Sequence, residues 1–192
     1  RATYNYDEKY IINGTFRRDG SSRFGPNKQF GNFGAVGAAW LFSNESFIKN
    51  NLGFLSFGKL RGSFGVTGND QIGDYGYADT WSSTGNSYAG IGGLYPSRFP
   101  NPDYSWEVNR KLEAALELGF LKDRILLTTN FYRNRSGNQL IKFILSSQSG
   151  FTEYIANLPA LVENKGLEFE LSSVNIRKDN FRWNTTVNFT TS

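Results

Sequence analysis

Apolar and polar residues alternate with period two along most of this chain. Over 110–121, Leu112, Ala114, Leu116, Leu118 and Phe120 share one parity. Lys111, Glu113, Ala115, Glu117 and Gly119 share the other. A strand sends successive side chains to opposite faces, whereas a helix would mix the two sets, so this segment reads as a strand with one apolar face. Ile125, Leu127, Thr129 and Phe131 continue the pattern after the polar turn Lys122-Asp123-Arg124, with Leu126 an exception beside the turn. Two such runs across a tight polar connection predict a hairpin.

The same reading extends to both ends. Leu167, Phe169 and Leu171 alternate with Glu168, Glu170 and Ser172, and Phe181, Trp183, Val187 and Phe189 alternate with Arg182, Asn184, Asn188 and Thr190. Ala2, Tyr4 and Tyr6 share a face before Asp7-Glu8-Lys9. Tyr10, Ile12, Gly14 and Phe16 follow, and Leu60, Phe64 and Val66 oppose Lys59, Arg61, Ser63 and Thr67. Gly31–Leu41 reads as a strand whose facing is open, and Asn44–Asn50 as one helical turn with Ser43 or Asn44 as N-cap. The total is about eight strands.

Connections of two kinds alternate. Asp7–Lys9, Lys122–Arg124, Asn175–Asn180 and the somewhat longer Ser43–Leu55 fall at one end. Asp19–Phe30, Gly68–Glu107 and Gly137–Ala160 fall at the other. Loops beyond ~12–15 residues are uncommon in compact soluble domains. Short turns at one end and long loops at the other are the layout of an outer-membrane barrel. The expected fold is all-β, an antiparallel up-and-down transmembrane β-barrel segment; a soluble up-and-down barrel or sandwich could alternate its faces equally well but has less reason to place all its long loops at one end. Hydrocarbon offers no hydrogen-bond partners, so every backbone group must pair within such a sheet. Tyr4, Tyr6, Tyr10, Phe120, Phe181 and Trp183 sit beside the short turns and suit an interfacial aromatic girdle, although ordinary core packing would use the same residues.

Composition narrows the chemistry. The chain has no Cys and no His, which excludes a disulfide framework, a Ser-His-Asp triad and a His-liganded zinc site. The net charge of +4 comes from scattered residues, with Arg17-Arg18 and Arg23 the only short cluster, so it reads as a solvated surface and not a nucleic-acid site. The longest apolar run, Ala35–Phe42, is broken by Gly37 and is too short for a spanning helix. A mean hydropathy of −0.46 does not count against a barrel, in which only alternate residues face lipid.

Four ordered blocks resemble the SusC/RagA family of TonB-linked outer-membrane proteins. The first is Arg17-Arg18-Asp19-Gly20-Ser21-Ser22-Arg23-Phe24-Gly25, followed by Gly34, Ala39-Trp40 and Ser43-Asn44-Glu45-Ser46-Phe47. The others are Lys59–Asn69, Asn101-Pro102-Asp103-Tyr104-Ser105-Trp106-Glu107 and Asn164–Glu170. One departure is Asn157-Leu158-Pro159-Ala160, where the family often has Asn-x-Gly. The resemblance implies a piece of a plugged barrel of the 22-stranded type. It implies residues 1–192 as one partial barrel domain, without plug or signal peptide, in the outer membrane of a Gram-negative bacterium. It further implies TonB-driven import of oligosaccharides or peptides, with TonB engaged by an N-terminal part outside this chain, and a SusD-like lipoprotein as partner. The rival reading is a soluble or surface-anchored β-barrel module that binds a glycan.

No catalytic constellation is present and no cofactor or metal is expected. Glu113 with Glu117, and Glu168 with Glu170, are same-face carboxylates that could serve a glycosidase. They read better as lumen charges alongside Lys59 and Arg61, balanced by Arg61, Lys111 and Arg182. Asn69, Asp70 and Asp74 match no cation-loop spacing. Arg18, Asp19, Gly20, Ser21, Ser22 and Arg23 read as residues that shape their loop. Trp81, Tyr88, Tyr95, Tyr104 and Trp106 lie among Gly, Ser and Asn in 68–107, where flat rings could stack on sugars or a partner, or on one another.

Overall fold

The computed structural model describes residues 1–192, the side chain of Tyr88 excepted. Ten strands and one short helix follow one another: β1 (Ala2–Tyr6), β2 (Tyr10–Gly20), β3 (Phe30–Trp40), α1 (Ser46–Asn51), β4 (Leu55–Asn69), β5 (Thr80–Tyr88), β6 (Ile91–Arg98), β7 (Glu107–Phe120), β8 (Ile125–Ile144), β9 (Glu153–Lys178) and β10 (Phe181–Thr191). Eight form one antiparallel sheet in the order β1-β2-β3-β4-β7-β8-β9-β10, and β5 and β6 form a separate hairpin.

Cross-strand register gives each face its chemistry, because directly opposed residues project to the same side. Leu60 lies opposite Leu116, Phe64 opposite Leu112, and Lys59 opposite Glu117. Thr129 links Leu116 to Phe169, and Phe169 faces Phe189. The facing of β3 is settled in the same way. Val36, Ala38 and Trp40 oppose Phe64, Gly62 and Leu60 and so join the apolar face, while Ala35 and Ala39 oppose Gly65 and Arg61 on the polar one.

Nothing covers the apolar face. Leu116, Phe169 and Val187 are 37%, 38% and 55% exposed, whereas Phe24, Phe33, Tyr104 and Ala115 are the buried apolar residues. The accessible surface is 13413 Å² for a 21.6 kDa chain. A globular monomer of that mass would expose about 9,200 Å². A soluble barrel would bury its apolar face, and here that face is exposed. Tyr4, Tyr6, Tyr10, Phe181 and Trp183 are exposed at the turn end. Trp40 stacks on Tyr10 at 6.4 Å, and Phe54 on Phe120 at 6.2 Å, at the same end of the sheet.

Four expectations are corrected. The stretch 68–107 is not one long loop, since it contains β5 and β6, joined at Ala89-Gly90 with φ of 50° and 81°. Positive φ at both central positions suits a tight hairpin turn. The stretch 137–160 is mostly strand, because β8 and β9 run on past the apolar band to a tip at Leu145–Thr152. The last connection shrinks to Asp179-Asn180, with a bulge where Trp183 and Asn184 skip Asn175. The helical turn begins at Ser46, and neither Ser43 nor Asn44 caps it. Glu45 precedes it without a side-chain cap bond, because its carboxylate is taken by Tyr10 and Trp40.

Candidate functional site

On the polar face of β4 and β7, the strand registry brings four charges together. The Nε of Arg61 donates to Glu117 at 2.8 Å, Lys59 Nζ lies 3.4 Å from the same carboxylate, and Arg61 Nη1 lies 3.8 Å from Glu113. Glu168 accepts a hydrogen bond from Asn130 at 3.1 Å. The balance expected from Lys111 and Arg182 is not found, since neither forms an ion pair among the described residues. Register explains this for Arg182, which lies opposite Arg177 at the turn end, while Glu168 and Glu170 oppose Thr190 and Asn188.

At the opposite end, the sequence blocks converge. Phe24 is wholly buried and packs 5.1 Å from Trp106, which meets Phe33 edge-on at 5.3 Å. Gly31 and Gly68 leave room for the Phe33 ring, since a Cβ at either would overlap it. Arg23 donates from Nε to Asp74 at 3.0 Å and from Nη1 to the Asp70 carbonyl at 3.0 Å. Asp70 and Asp74 are therefore committed to Arg23, and no cluster of metal-ligating side chains occurs among the described residues. Arg17 pairs with Asp19 at 3.0 Å, and Arg18 lies over the Phe30 ring at 4.8 Å. Ser21 N–H closes the loop on Gln29 at 2.9 Å just after β2 ends at Gly20, and Ser22 lies within that closed loop.

Asn157 stitches the block ending at Glu107 to β8. Its Nδ2 donates to the carbonyls of Ser105 and Asn138 at 2.9 Å each, and its Oδ1 accepts from Ser105 N–H at 3.0 Å. Asn138 Nδ2 donates to Ser105 Oγ at 2.7 Å and to the Trp106 carbonyl at 2.8 Å. Pro159 falls where the β8–β9 register shifts between Gly137 and Gln139, a place where a missing N–H does no harm. The stitching role of Asn138 and Asn157 carries no signal in the sequence.

Beside this seam lies a cavity of about 510 Å³, lined by Tyr95, Arg98, Phe99, Tyr104, Phe151 and Tyr154 among others. Phe99 meets Phe151 and Tyr154 edge-on at 5.4 and 5.8 Å. Glu153, also on the wall, is tied to Lys142 at 2.7 Å. Of the five aromatics expected as contacts, Trp81 and Tyr95 are exposed on the hairpin, at 57% and 50%. Tyr104 is only 3% exposed, and burial holds its hydroxyl un-ionised, with the pKa pushed up to about 12. Trp106 is half-buried, with Phe24 and Phe33 packed against its ring. A ring as buried as that of Tyr104 fixes its loop and offers no free face. The side chain of Tyr88 lies outside the described residues.

The family described as TonB dependent receptor-like, beta-barrel matches residues 1–192. The chain belongs to that family. TonB-dependent receptor P39 of Formosa agariphila is 35% identical over 98% of this chain, and TonB-dependent receptor SusC of Bacteroides thetaiotaomicron is 28% identical over 99%. The chain spans 18% of the first and 19% of the second, about a fifth of each. A subunit of the RagAB peptide importer in its 'closed-closed' state superposes with a TM-score of 0.88 at 28% identity, over 98% of this chain and 20% of that one. The siderophore receptor PirA of Pseudomonas aeruginosa shares the fold, with a TM-score of 0.60 at 13% identity over 98% of this chain and 32% of that one. These TonB-dependent relatives are receptors, and their barrel family is an outer-membrane family of Gram-negative bacteria.

Proposed function

We propose that this chain is a wall-and-loop segment of an outer-membrane, TonB-dependent importer of oligosaccharides or peptides, working with a SusD-like lipoprotein. The observation that carries the reading is the two-faced sheet. Its apolar side exposes large apolar side chains on β1, β2, β3, β4, β7, β9 and β10 and is half-buried on β8, while its other side holds Lys59, Arg61, Glu113 and Glu117 in one ion-paired group. The apolar side meets lipid, and the polar side, with Glu168, Glu170 and Arg182, lines the pore of a larger barrel of the 22-stranded type. The turn end lies at the periplasm and the loop end outside the cell. Residues 1–192 form one partial barrel domain, and coupling to TonB falls to other parts of the whole protein.

The cavity at the loop end is the candidate contact for cargo or lipoprotein. Its wall supplies the ring faces and edges of Tyr95, Phe99 and Tyr154, with Arg98 and the Lys142-paired Glu153 as the charged groups. Its size is within the ~300–1,000 Å³ usual for small-ligand pockets. Trp81 extends the same surface on the hairpin. The ion pairs of the lumen wall orient charge and carry out no reaction.

The test uses the full-length protein. It is expected to fractionate with outer membranes, to migrate heat-modifiably on gels, and to support TonB-dependent uptake of an oligosaccharide or peptide. Recovery as a soluble monomer, or uptake unchanged when the gene is deleted, overturns the proposal.

A further inference from the structure

We propose that the outward face of β7, β8 and β9 binds the phosphate groups of a phosphorylated membrane lipid, through Arg110, Arg133, Arg135 and Lys165. This rests on the reading of the apolar face as lipid-facing. Strand parity puts these four side chains on that same face: Arg110 with Leu112, Arg133 and Arg135 with Phe131, and Lys165 with Leu167. Register makes them neighbours. Arg110 opposes Arg135, which opposes Glu163, and in the adjacent row Leu112 opposes Arg133, which opposes Lys165. Adjacent strands lie ~4.8 Å apart, so the four cations fall within one lipid headgroup's reach.

Glu163 is the one carboxylate in these rows. Its Oε2 lies 2.9 Å from Arg133 Nη2 and 2.5 Å from Arg135 Nε, and its Oε1 lies 4.0 Å from Lys165 Nζ. One carboxylate against four cations leaves three positive charges uncompensated. The side chains of Arg133, Arg135 and Lys165 are 37%, 38% and 66% exposed, so their donors remain reachable. A charge deep in hydrocarbon is costly on a barrel's lipid face. The patch therefore marks where the apolar band of Leu112, Phe131 and Leu167 gives way to the headgroup layer on the loop side. Anionic groups in that layer are the phosphates of lipids, and the guanidinium fork matches a phosphate through two parallel hydrogen bonds.

The experiment uses the full-length protein purified from outer membranes. Lipid phosphates retained per protein are counted by native mass spectrometry. Binding is titrated with bisphosphorylated lipid A in phosphatidylcholine vesicles, against phosphatidylcholine alone. Each basic residue near a charged lipid surface contributes about a fivefold gain in binding. Arg110→Gln, Arg133→Gln and Arg135→Gln together are therefore expected to weaken lipid A binding on the order of a hundredfold. The corresponding three Arg→Lys changes keep most of the binding, and show that the sheet tolerates substitution there. Lys111→Gln, next to Arg110 but facing the lumen, leaves it unchanged.

Full lipid retention by the triple Gln protein overturns the proposal. So does an equal loss with Lys111→Gln, or a co-purifying protein on the patch in place of lipid. A protein absent from the outer membrane would instead overturn the reading of the apolar face itself.

Discussion

The ring of Phe24 lies 5.1 Å from that of Trp106, although 82 positions separate them in the chain. Phe24 belongs to the loop after β2 and Trp106 to the segment entering β7, so this contact closes two loops over the end of the sheet. With Arg23 gripping Asp70 and Asp74, it forms a latch in which the apolar contact supplies most of the energy. The ions are 36–77% exposed and therefore heavily screened.

Phe24→Ala is expected to open that latch. Truncating a buried Phe costs about 3–5 kcal/mol. The loss falls on loops outside the strand ladder, so the barrel of the full-length protein should still migrate heat-modifiably. Limited proteolysis should cut within 68–107 at least tenfold faster. Unchanged cleavage would show that the latch is held elsewhere.

How much of this could be read beforehand depends on which surfaces a strand touches. On β7 one face meets Leu60 and Leu127 and the other Lys59, so its residues alternate without ambiguity. On β5, the run Trp81-Ser82-Ser83-Thr84-Gly85-Asn86-Ser87 faces water on both sides. No apolar stripe is required, and the strand is invisible to periodicity. The extension of β8 beyond Gly137 is hidden likewise, since Leu140 and Ile141 fall on opposite faces outside the apolar band. At the site, Trp106 and Trp81 look alike in sequence. Only the placement of Phe24 and Phe33 reveals that the first is half-covered by packed rings, while the second stands open.

Acid is expected to loosen the turn end through Glu45. Hydrogen bonds from Tyr10 (2.7 Å) and Trp40 (3.2 Å), chiefly the former, hold its pKa below the ordinary 4.5. A depressed carboxylate contributes stability that is fully present above its unfolded pKa and is lost as pH falls through the folded one. Fluorescence of Trp40 should therefore change below about pH 4.5 and not between pH 6 and 8. Glu45→Gln should abolish that acid transition. Its persistence in the variant would assign it to another group.

Glu117 offers a measure of the charges on the polar face. It is the shared partner of Lys59 and Arg61, and all three side chains are 23–36% exposed. Partly solvated pairs of this kind are worth about 0.2–1 kcal/mol. A double-mutant cycle of Glu117→Gln and Arg61→Gln, read by urea unfolding of the full-length barrel in detergent, should give a coupling in that range. A coupling above about 3 kcal/mol would mean a dry interior and would contradict a water-filled lumen.

Two adjacent threonines on β8 provide the sharpest test of facing. Thr128 lies between Glu117 and Glu170, and Thr129 between Leu116 and Phe169. Backbone geometry, strand and parent residue are the same for both, so only the environment differs. An arginine at 128 would meet two carboxylates in water. An arginine at 129 would have to enter acyl chains, at a cost of about 2–4 kcal/mol near the bilayer midplane. Thr128→Arg is therefore expected to assemble into the outer membrane at close to the wild-type level, while Thr129→Arg should assemble poorly and unfold at lower urea. Equal behaviour of the two variants would remove the distinction between lipid face and lumen face. The reverse order would place the apolar side chains inside a closed core.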